Sequence, residues 1–375
     1  MEGKLRVGVI GCGEISSNHV LGYLNSARYE IVALADLSEQ AMNDFDKQFS
    51  EHEDYKSEHF TDAREMLEKS ELDVVSVGVW DMGHAPMTIA AAASGVKAIL
   101  CEKPMSDTTG SAADMMLVCR RNGVKLAIGH QRRFLPAYNL AKQMIEDGKI
   151  GEPRLITTAA RDGLPNYSSH LADMYRYLLG DPECVWVMGN VERETDQWAR
   201  AIPIEDKAFA VFGFDNGAQA MILSGLTPEH GFGARIYGSD GMIELSVDDL
   251  KIMNSKSDGW QEHKPDGDFA KYGFDNFEMI EAGAVQAREF ARWVTGEIEA
   301  YRGVATNGYK ALEMVHAVYE SARTHAQVEM PLKTRTHPLV EMIDSGHLPV
   351  RYPGRYDIRN RTLRGEGNVG WVRLY

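Results

Sequence analysis

Gly11-Cys12-Gly13-Glu14-Ile15-Ser16 places two glycines and small neighbours at a spacing suited to gripping a pyrophosphate. Gly11 permits a tight turn and Gly13 lets backbone approach phosphate oxygens. A helix opening at Glu14 and Ile15 would add N–H donors and the positive end of its dipole. Small Ser16 stands where a third glycine would allow close helix packing. Asp36 lies 36 − 11 = 25 residues after Gly11, where a carboxylate accepts hydrogen bonds from the adenosine ribose. It would repel a 2′-phosphate, and Leu37 and Ser38 offer no arginine to hold one, so NAD is expected rather than NADP. The plainer reading is that Asp36 caps a helix starting at Ser38. Glu102-Lys103-Pro104 is the second constellation. At the carboxyl edge of a parallel strand, Lys103 could bridge the nicotinamide ribose and a substrate hydroxyl and favour a developing alkoxide. Alternatively it simply pairs with Glu102.

These groups need a sheet edge to position them. Residues 5–10 (LRVGVI) predict a buried strand, 15–27 a helix and 30–35 a second strand, a βαβ unit of about 30 residues. Helix 38–49, strand 74–79, helix 86–94, strand 98–101, helix 110–121 and strand 125–129 continue the alternation. That pattern predicts an α/β domain with a doubly wound parallel sheet. Beyond residue 129 come helix 135–147, strand 154–160 and helix 170–179. Strands follow at 185–191, 208–214, 218–224, 234–238, 241–246 and 250–254, with Asp215-Asn216-Gly217 as a hairpin turn. They predict a second α/β domain with an open, mostly antiparallel sheet, completed by helices 282–294 and 308–324. The expected division is a dinucleotide-binding Rossmann domain over 1–128, a substrate and oligomerisation domain over 129–332 and an extended tail over 333–375. Pro338, Pro349 and Pro353 interrupt that tail, which should have little core of its own.

Of 375 residues, 44% are apolar and 25% charged, ordinary globular values. Forty Lys and Arg against 55 Asp and Glu give a net charge of −15, which argues against nucleic acid or an anionic membrane as partner. Small-molecule chemistry remains. Cys12, Cys101, Cys119 and Cys184 form no Cys-x-x-Cys pair and are too sparse for a disulfide framework. With no secretory leader or membrane-length apolar run, a cytoplasmic location is expected.

GVIGCGEISSNH (8–19), ALAD (33–36), EKP (102–104), GHQRRFLP (129–136) and SSHLADMYRYLLG (168–180) together resemble the glucose-fructose oxidoreductase and inositol dehydrogenase family, Gfo/Idh/MocA. The likeness runs from residue 5 to about 332 in the family's order and spacing. It implies NAD(P)-dependent oxidation or reduction of a sugar or cyclitol hydroxyl. It also implies an open sheet that often forms the oligomer interface, hence a homo-oligomer, dimer or tetramer. By position Lys103 is the family lysine and His170 the general acid/base, a role suited by an unperturbed pKa of about 6.5. The alternative is that His170 caps its helix or packs as a polar core residue.

The departures from the family pattern carry information. Asn166 stands where many relatives have aspartate; it can orient a hydroxyl but cannot stabilise an imidazolium by charge. Tyr167 is a substitute proton-transfer group, and Asp173, one turn after His170, could contact substrate or orient the ring. Val79-Trp80-Asp81-Met82-Gly83-His84 replaces the usual Thr-Pro-Asn-x-x-His. Trp80 and His84 thereby join Glu102 on the cofactor side, although Trp80 could equally wall the cleft. His130, Arg132, Arg133 and Arg161 make the expected pocket basic. Guanidinium groups favour carboxylate, phosphate or sulfonate oxygens, so an acidic sugar is the expected substrate, with pairing to cofactor phosphates as the plainer alternative. No third ligand joins His170 and Asp173, so no metal is expected.

Three functions compete. An NAD-dependent sugar or cyclitol dehydrogenase leads. A redox glycosidase would oxidise, eliminate, hydrate and re-reduce an acidic or sulfonated glycoside without net NADH. A catalytically silent NAD-binding interaction protein is the third, against which Lys103 and His170 together argue.

Overall fold

The computed structural model describes residues 3–228, 231–265 and 277–358, which fall into two compact units. The first comprises described residues up to Phe134 together with 277–308. Its elements are β1 (Leu5–Ile10), α1 (Glu14–Ser26), β2 (Tyr29–Ala35), α2 (Glu39–Phe49), β3 (Tyr55–Phe60), α3 (Ala63–Lys69), β4 (Val74–Val77), α4 (Asp81–Ala93), β5 (Ala98–Cys101), α5 (Thr109–Arg121) and β6 (Lys125–Ile128). The strands form a parallel sheet in the order β3-β2-β1-β4-β5-β6. β4 and β5 are buried at every residue, as expected of central strands covered on both faces. A 3-10 turn, Gln131–Phe134, ends this stretch.

The second unit takes 135–265 and 309–358 of the described residues. It begins with α6 (Pro136–Glu146), β7 (Pro153–Ala160), a π-turn (Leu164–Ser168) and α7 (Ser169–Leu178). Then come β8 (Cys184–Glu192), β9 (Thr195–Ala199), β10 (Ile202–Pro203), β11 (Lys207–Phe214), β12 (Gln219–Ser224), β13 (Ala234–Gly238), β14 (Gly241–Leu245), β15 (Leu250–Asn254) and β16 (Gln261–His263). Helix α8 (Phe277–Val294) returns to the first unit, where it packs along α1. The last described elements are α9 (Ala305–Thr324), β17 (Val328–Glu329), α10 (Pro338–Asp344) and β18 (Tyr352–Asp357).

Nine strands form one sheet in the order β16-β15-β14-β13-β7-β12-β11-β8-β17. All its pairs are antiparallel except β7 with β12. The Asn-Gly hairpin forms between β11 and β12, with Gly217 at φ +83°. The segment read as an extended tail with little core of its own contains, among the described residues, α10, which buries Leu339 and Met342, and β18, which pairs in parallel with β9. The Arg355 guanidinium lies 4.5 Å from the Trp198 ring centre, and Asp196 accepts from the Arg355 amide at 2.9 Å. Aromatic and ionic contacts thus hold this strand where its sequence offers little apolar periodicity. Among the described residues no helix is long and apolar enough to cross a membrane.

Candidate active site

The glycine turn leaves β1 as the spacing predicts. Gly11 has φ +92°, and a Cβ there would lie 2.6 Å from the Gly78 carbonyl oxygen, so both the dihedral and the space demand glycine. Gly13 is the N-cap of α1, has no side chain with which to cap it, and faces open space: a Cβ would meet nothing within 4 Å. Open room before the first amides of a helix suits a diphosphate. Asp36 braces the turn, its Oδ2 accepting from the Cys12 amide at 2.8 Å and its Oδ1 from the Ser38 amide at 2.9 Å. Ser38 caps α2 by accepting from the Ala41 amide at 3.2 Å, so Asp36 is not the cap. An ionised carboxylate has about four acceptor positions, which leaves capacity for ribose hydroxyls. The residues present therefore fit NAD.

Glu102 and Lys103 leave β5 at the carboxyl edge of the same sheet. Glu102 is buried; its Oε1 lies 2.9 Å from His19 Nε2, and its Oε2 accepts from the Lys103 amide at 3.1 Å. The other His19 nitrogen, Nδ1, lies 2.6 Å from Ser76 Oγ. A Cβ on Gly129 would sit 2.3 Å from Glu102 Oε1, so the small residue after β6 makes room for the carboxylate. Burial alone would raise the Glu102 carboxyl. The hydrogen bond and charge of His19, followed by the charge and amide of Lys103, outweigh it and hold the group below the usual carboxylate range. His19 is thus a partner of the Glu102 carboxylate in addition to the Lys103 amide.

His84 Nδ1 lies 2.8 Å from the Pro104 carbonyl oxygen and Nε2 lies 3.0 Å from that of Val79. Carbonyls only accept, so the doubly protonated ring alone satisfies both contacts. Burial opposes that charge, but Cys101, Asp81 and the Pro104 carbonyl push the group up to about 10. His84 thereby ties the start of α4 to the turn that carries Lys103. Trp80, the N-cap residue of α4, is partly exposed and contributes no side-chain cap. His130 and Arg133 are buried and Arg132 half-buried at the 3-10 turn. Arg302 fixes that turn: it donates to the Arg133 carbonyl at 2.8 Å, pairs with Glu289 and lies 4.7 Å from the Phe134 ring centre.

In the second unit, Asp162 at φ +62° and Gly163 at φ +79° swing the chain off β7 into the π-turn. Asn166, Tyr167, His170 and Asp173 are all buried. Tyr167 stacks on Phe232 with ring centres 4.0 Å apart, and His170 meets the same ring edge-on at 5.5 Å. The N-cap of α7 is Ser168, so His170 does not cap its helix. Arg161 is 55% exposed, its Nε 3.5 Å from Asp162 Oδ2.

Residues 5–130 match the profile of the Gfo/Idh/MocA oxidoreductase family, NAD-binding Rossmann fold, and residues 163–330 match that family's C-terminal α/β domain. The chain belongs to the Gfo/Idh/MocA oxidoreductase family. It is 25% identical over 372 residues to D-apiose dehydrogenase of Paraburkholderia graminis, covering 92% of this chain and 94% of the relative. It is 27% identical over 256 residues to myo-inositol 2-dehydrogenase of Thermotoga maritima, covering 64% and 74%. In fold it resembles levoglucosan dehydrogenase in complex with NADH and levoglucosan. That structure has a TM-score of 0.76 at 20% identity, covering 88% of this chain and all of that one.

Three residues around the π-turn of this Gfo/Idh/MocA chain escaped sequence reasoning. Phe232, which gathers Tyr167 and His170, lies far from them in sequence and outside any motif. Glu205 reaches the turn from the β10–β11 connection, and Tyr319 of α9 donates to Glu205. The only sequence signal for Glu205 was an acidic residue just ahead of an apolar strand.

Proposed function

We propose that the protein is an NAD-dependent dehydrogenase that oxidises a hydroxyl of a sugar or cyclitol. The observation that carries the reading is the Glu102-Lys103 turn, a lysine delivered at the carboxyl edge of the sheet whose first strand ends in the glycine turn. There its backbone is fixed by the Glu102 carboxylate. Bound NAD supplies the hydride acceptor. Lys103 donates a hydrogen bond to the substrate oxygen and favours its alkoxide character, His170 takes the hydroxyl proton, and Tyr167 and Asn166 orient the reacting group. The names of the D-apiose and myo-inositol relatives support a polyhydroxylated substrate.

An acidic sugar is the favoured substrate within that class, because Arg161 keeps an exposed guanidinium at the end of β7. The test is to incubate protein and NAD with neutral and acidic sugars, free and as glycosides, while recording NADH and aglycone together. NADH without aglycone is expected, with a raised KM for the acidic substrate in Arg161→Ala. Aglycone without net NADH would replace the reading by a redox glycosidase. An Arg161→Ala enzyme with unchanged KM would remove the acidic preference.

The proposed assembly is a homo-oligomer formed through the exposed face of the nine-stranded sheet. Met188 and Phe209 are 52% and 46% exposed there. Register places Met188, Val211 and Met221 in one row across β8, β11 and β12, and Phe209 beside Leu223 in the next. A contiguous apolar face of this kind marks an interaction surface. Light scattering should give a dimer or tetramer that Phe209→Glu dissociates; a monomeric wild type would exclude it.

A further inference from the structure

His84 is only 1% exposed, and its two ring nitrogens face carbonyl oxygens that belong to different connections of the first sheet. One carbonyl is that of Pro104, directly after Lys103; the other is that of Val79, between β4 and α4. Val79 is itself packed against the glycine turn. A Cβ on Gly11 would lie 3.0 Å from Val79 Cγ1, and one on Gly83 would lie 2.7 Å from Val79 Cγ2. His84 therefore joins the wall of the glycine turn to the turn that presents Lys103. Both flanks of Lys103 are then held. Glu102 Oε2 accepts from the Lys103 amide, and the carbonyl of the next residue accepts from His84.

We propose that His84 is a positioning residue, a two-proton clamp that sets the backbone of Lys103 against the glycine turn and so fixes where the lysine meets the substrate oxygen. The consequence for catalysis rests on the role given above to Lys103. The geometry demands both ring protons. A neutral imidazole carries one N–H and one bare lone pair, and either tautomer would aim that lone pair at a carbonyl oxygen, 2.8 Å away at Pro104 or 3.0 Å away at Val79. With both nitrogens committed to backbone, His84 acts on the two turns and not on the cofactor.

The surroundings of the ring agree with a positive charge. Burial works against it, while Cys101 at the end of β5 and Asp81 in the first turn of α4 favour it. Asp81 stands three residues before His84, on the same helix face, and is itself buried. Lysine carries its amine on a flexible four-carbon stem, so the amine lands reproducibly only from a backbone that does not move. A misplacement of about 1 Å at a reacting centre costs roughly a hundredfold in rate.

The test uses the full chain. With ¹⁵N-labelled histidine at about pH 7.5, the His84 signals, identified by their loss in His84→Gln, should show two protonated ring nitrogens. His84→Phe keeps a ring and removes both donors, and His84→Gln keeps an amide donor. On the alcohol that reduces NAD in the screen above, kcat should fall roughly tenfold to a hundredfold in His84→Phe and less in His84→Gln. The NAD dissociation constant, read by fluorescence, should stay within about threefold. A double-mutant cycle decides whether the clamp acts through the lysine: in a Lys103→Met background, His84→Gln should cost nothing further in kcat. A single protonated nitrogen, or losses that multiply across the cycle, overturns the proposal. If His84→Phe does not fold, the ring signals and the His84→Gln cycle carry the test. Full activity in Lys103→Met alone is a different result, because it removes the role of Lys103 while the two ring protons still stand.

Discussion

Alanine at His170 is expected to lower kcat by about 10²- to 10⁴-fold, the usual contribution of a positioned general acid/base. NAD affinity should stay within about twofold, because an interaction made only with the reacting hydroxyl leaves cofactor binding intact. The geometry makes the experiment clean. His170 meets Phe232 only edge-on, while Tyr167 lies flat against the same ring, so removing the imidazole leaves the stacked pair to hold the turn. Tyr167→Phe keeps that stack and removes only the hydroxyl. If His170 transfers the proton, Tyr167→Phe should cost less than tenfold, the scale of one orienting hydrogen bond. The reverse order, a nearly active His170→Ala beside an inactive Tyr167→Phe, would hand the proton to Tyr167. Lys103→Met should resemble His170→Ala in kcat, since it removes the group proposed to favour the alkoxide. The measurements are steady-state turnover on the alcohol selected in the substrate screen and NAD titration of each variant.

What the sequence made legible were features whose physics is local. A glycine turn must follow its strand, and a run such as VVSV or AILC, buried on both sides, must be a central strand. Five of the six strands of the first sheet and the positions of Gly11, Asp36, Glu102 and Lys103 followed from these. Features that depend on distant partners were not legible. β3 (YKSEHF) is buried only at its two ends, so its polar middle hid a strand at the edge of the sheet. Helix α8 reads as a second-domain helix by position, yet it lies along α1 in the first unit because its apolar face is needed there. β18 is held by pairing to β9 and by Arg355 on Trp198, contacts that no periodicity announces. The same holds at the candidate site, where His19 of α1 bonds the Glu102 carboxylate and Phe232 gathers Tyr167 and His170 from across the unit.

Replacing Glu102 by glutamine is expected to destabilise the first unit by about 3–5 kcal/mol, the cost of breaking a buried ion pair by removing one partner. Both side chains are nearly inaccessible, at 7% and 5% exposure, so solvent cannot take over the lost contact. His19 would be left facing an amide, while its other nitrogen remains committed to Ser76. The pH dependence has a definite sign. The folded carboxyl lies below its unfolded value, about 4.3. Its contribution is therefore complete above that value and is lost as pH falls through the folded one. Denaturant unfolding should accordingly show a wide gap between wild type and Glu102→Gln at pH 7 that narrows in acid. A His19→Phe variant, which removes the partner, should make the second substitution cheaper than the first, a coupling that a double-mutant cycle measures directly. Additive losses, or a gap unchanged by acid, would mean that Glu102 serves only to shape its turn. If the pair holds as described, its loss should also weaken NAD binding. His19 sits on the helix whose N-terminus would hold the diphosphate of NAD, and Glu102 fixes the backbone of Lys103, so one buried contact joins the proposed cofactor grip to the residue proposed to act on the substrate.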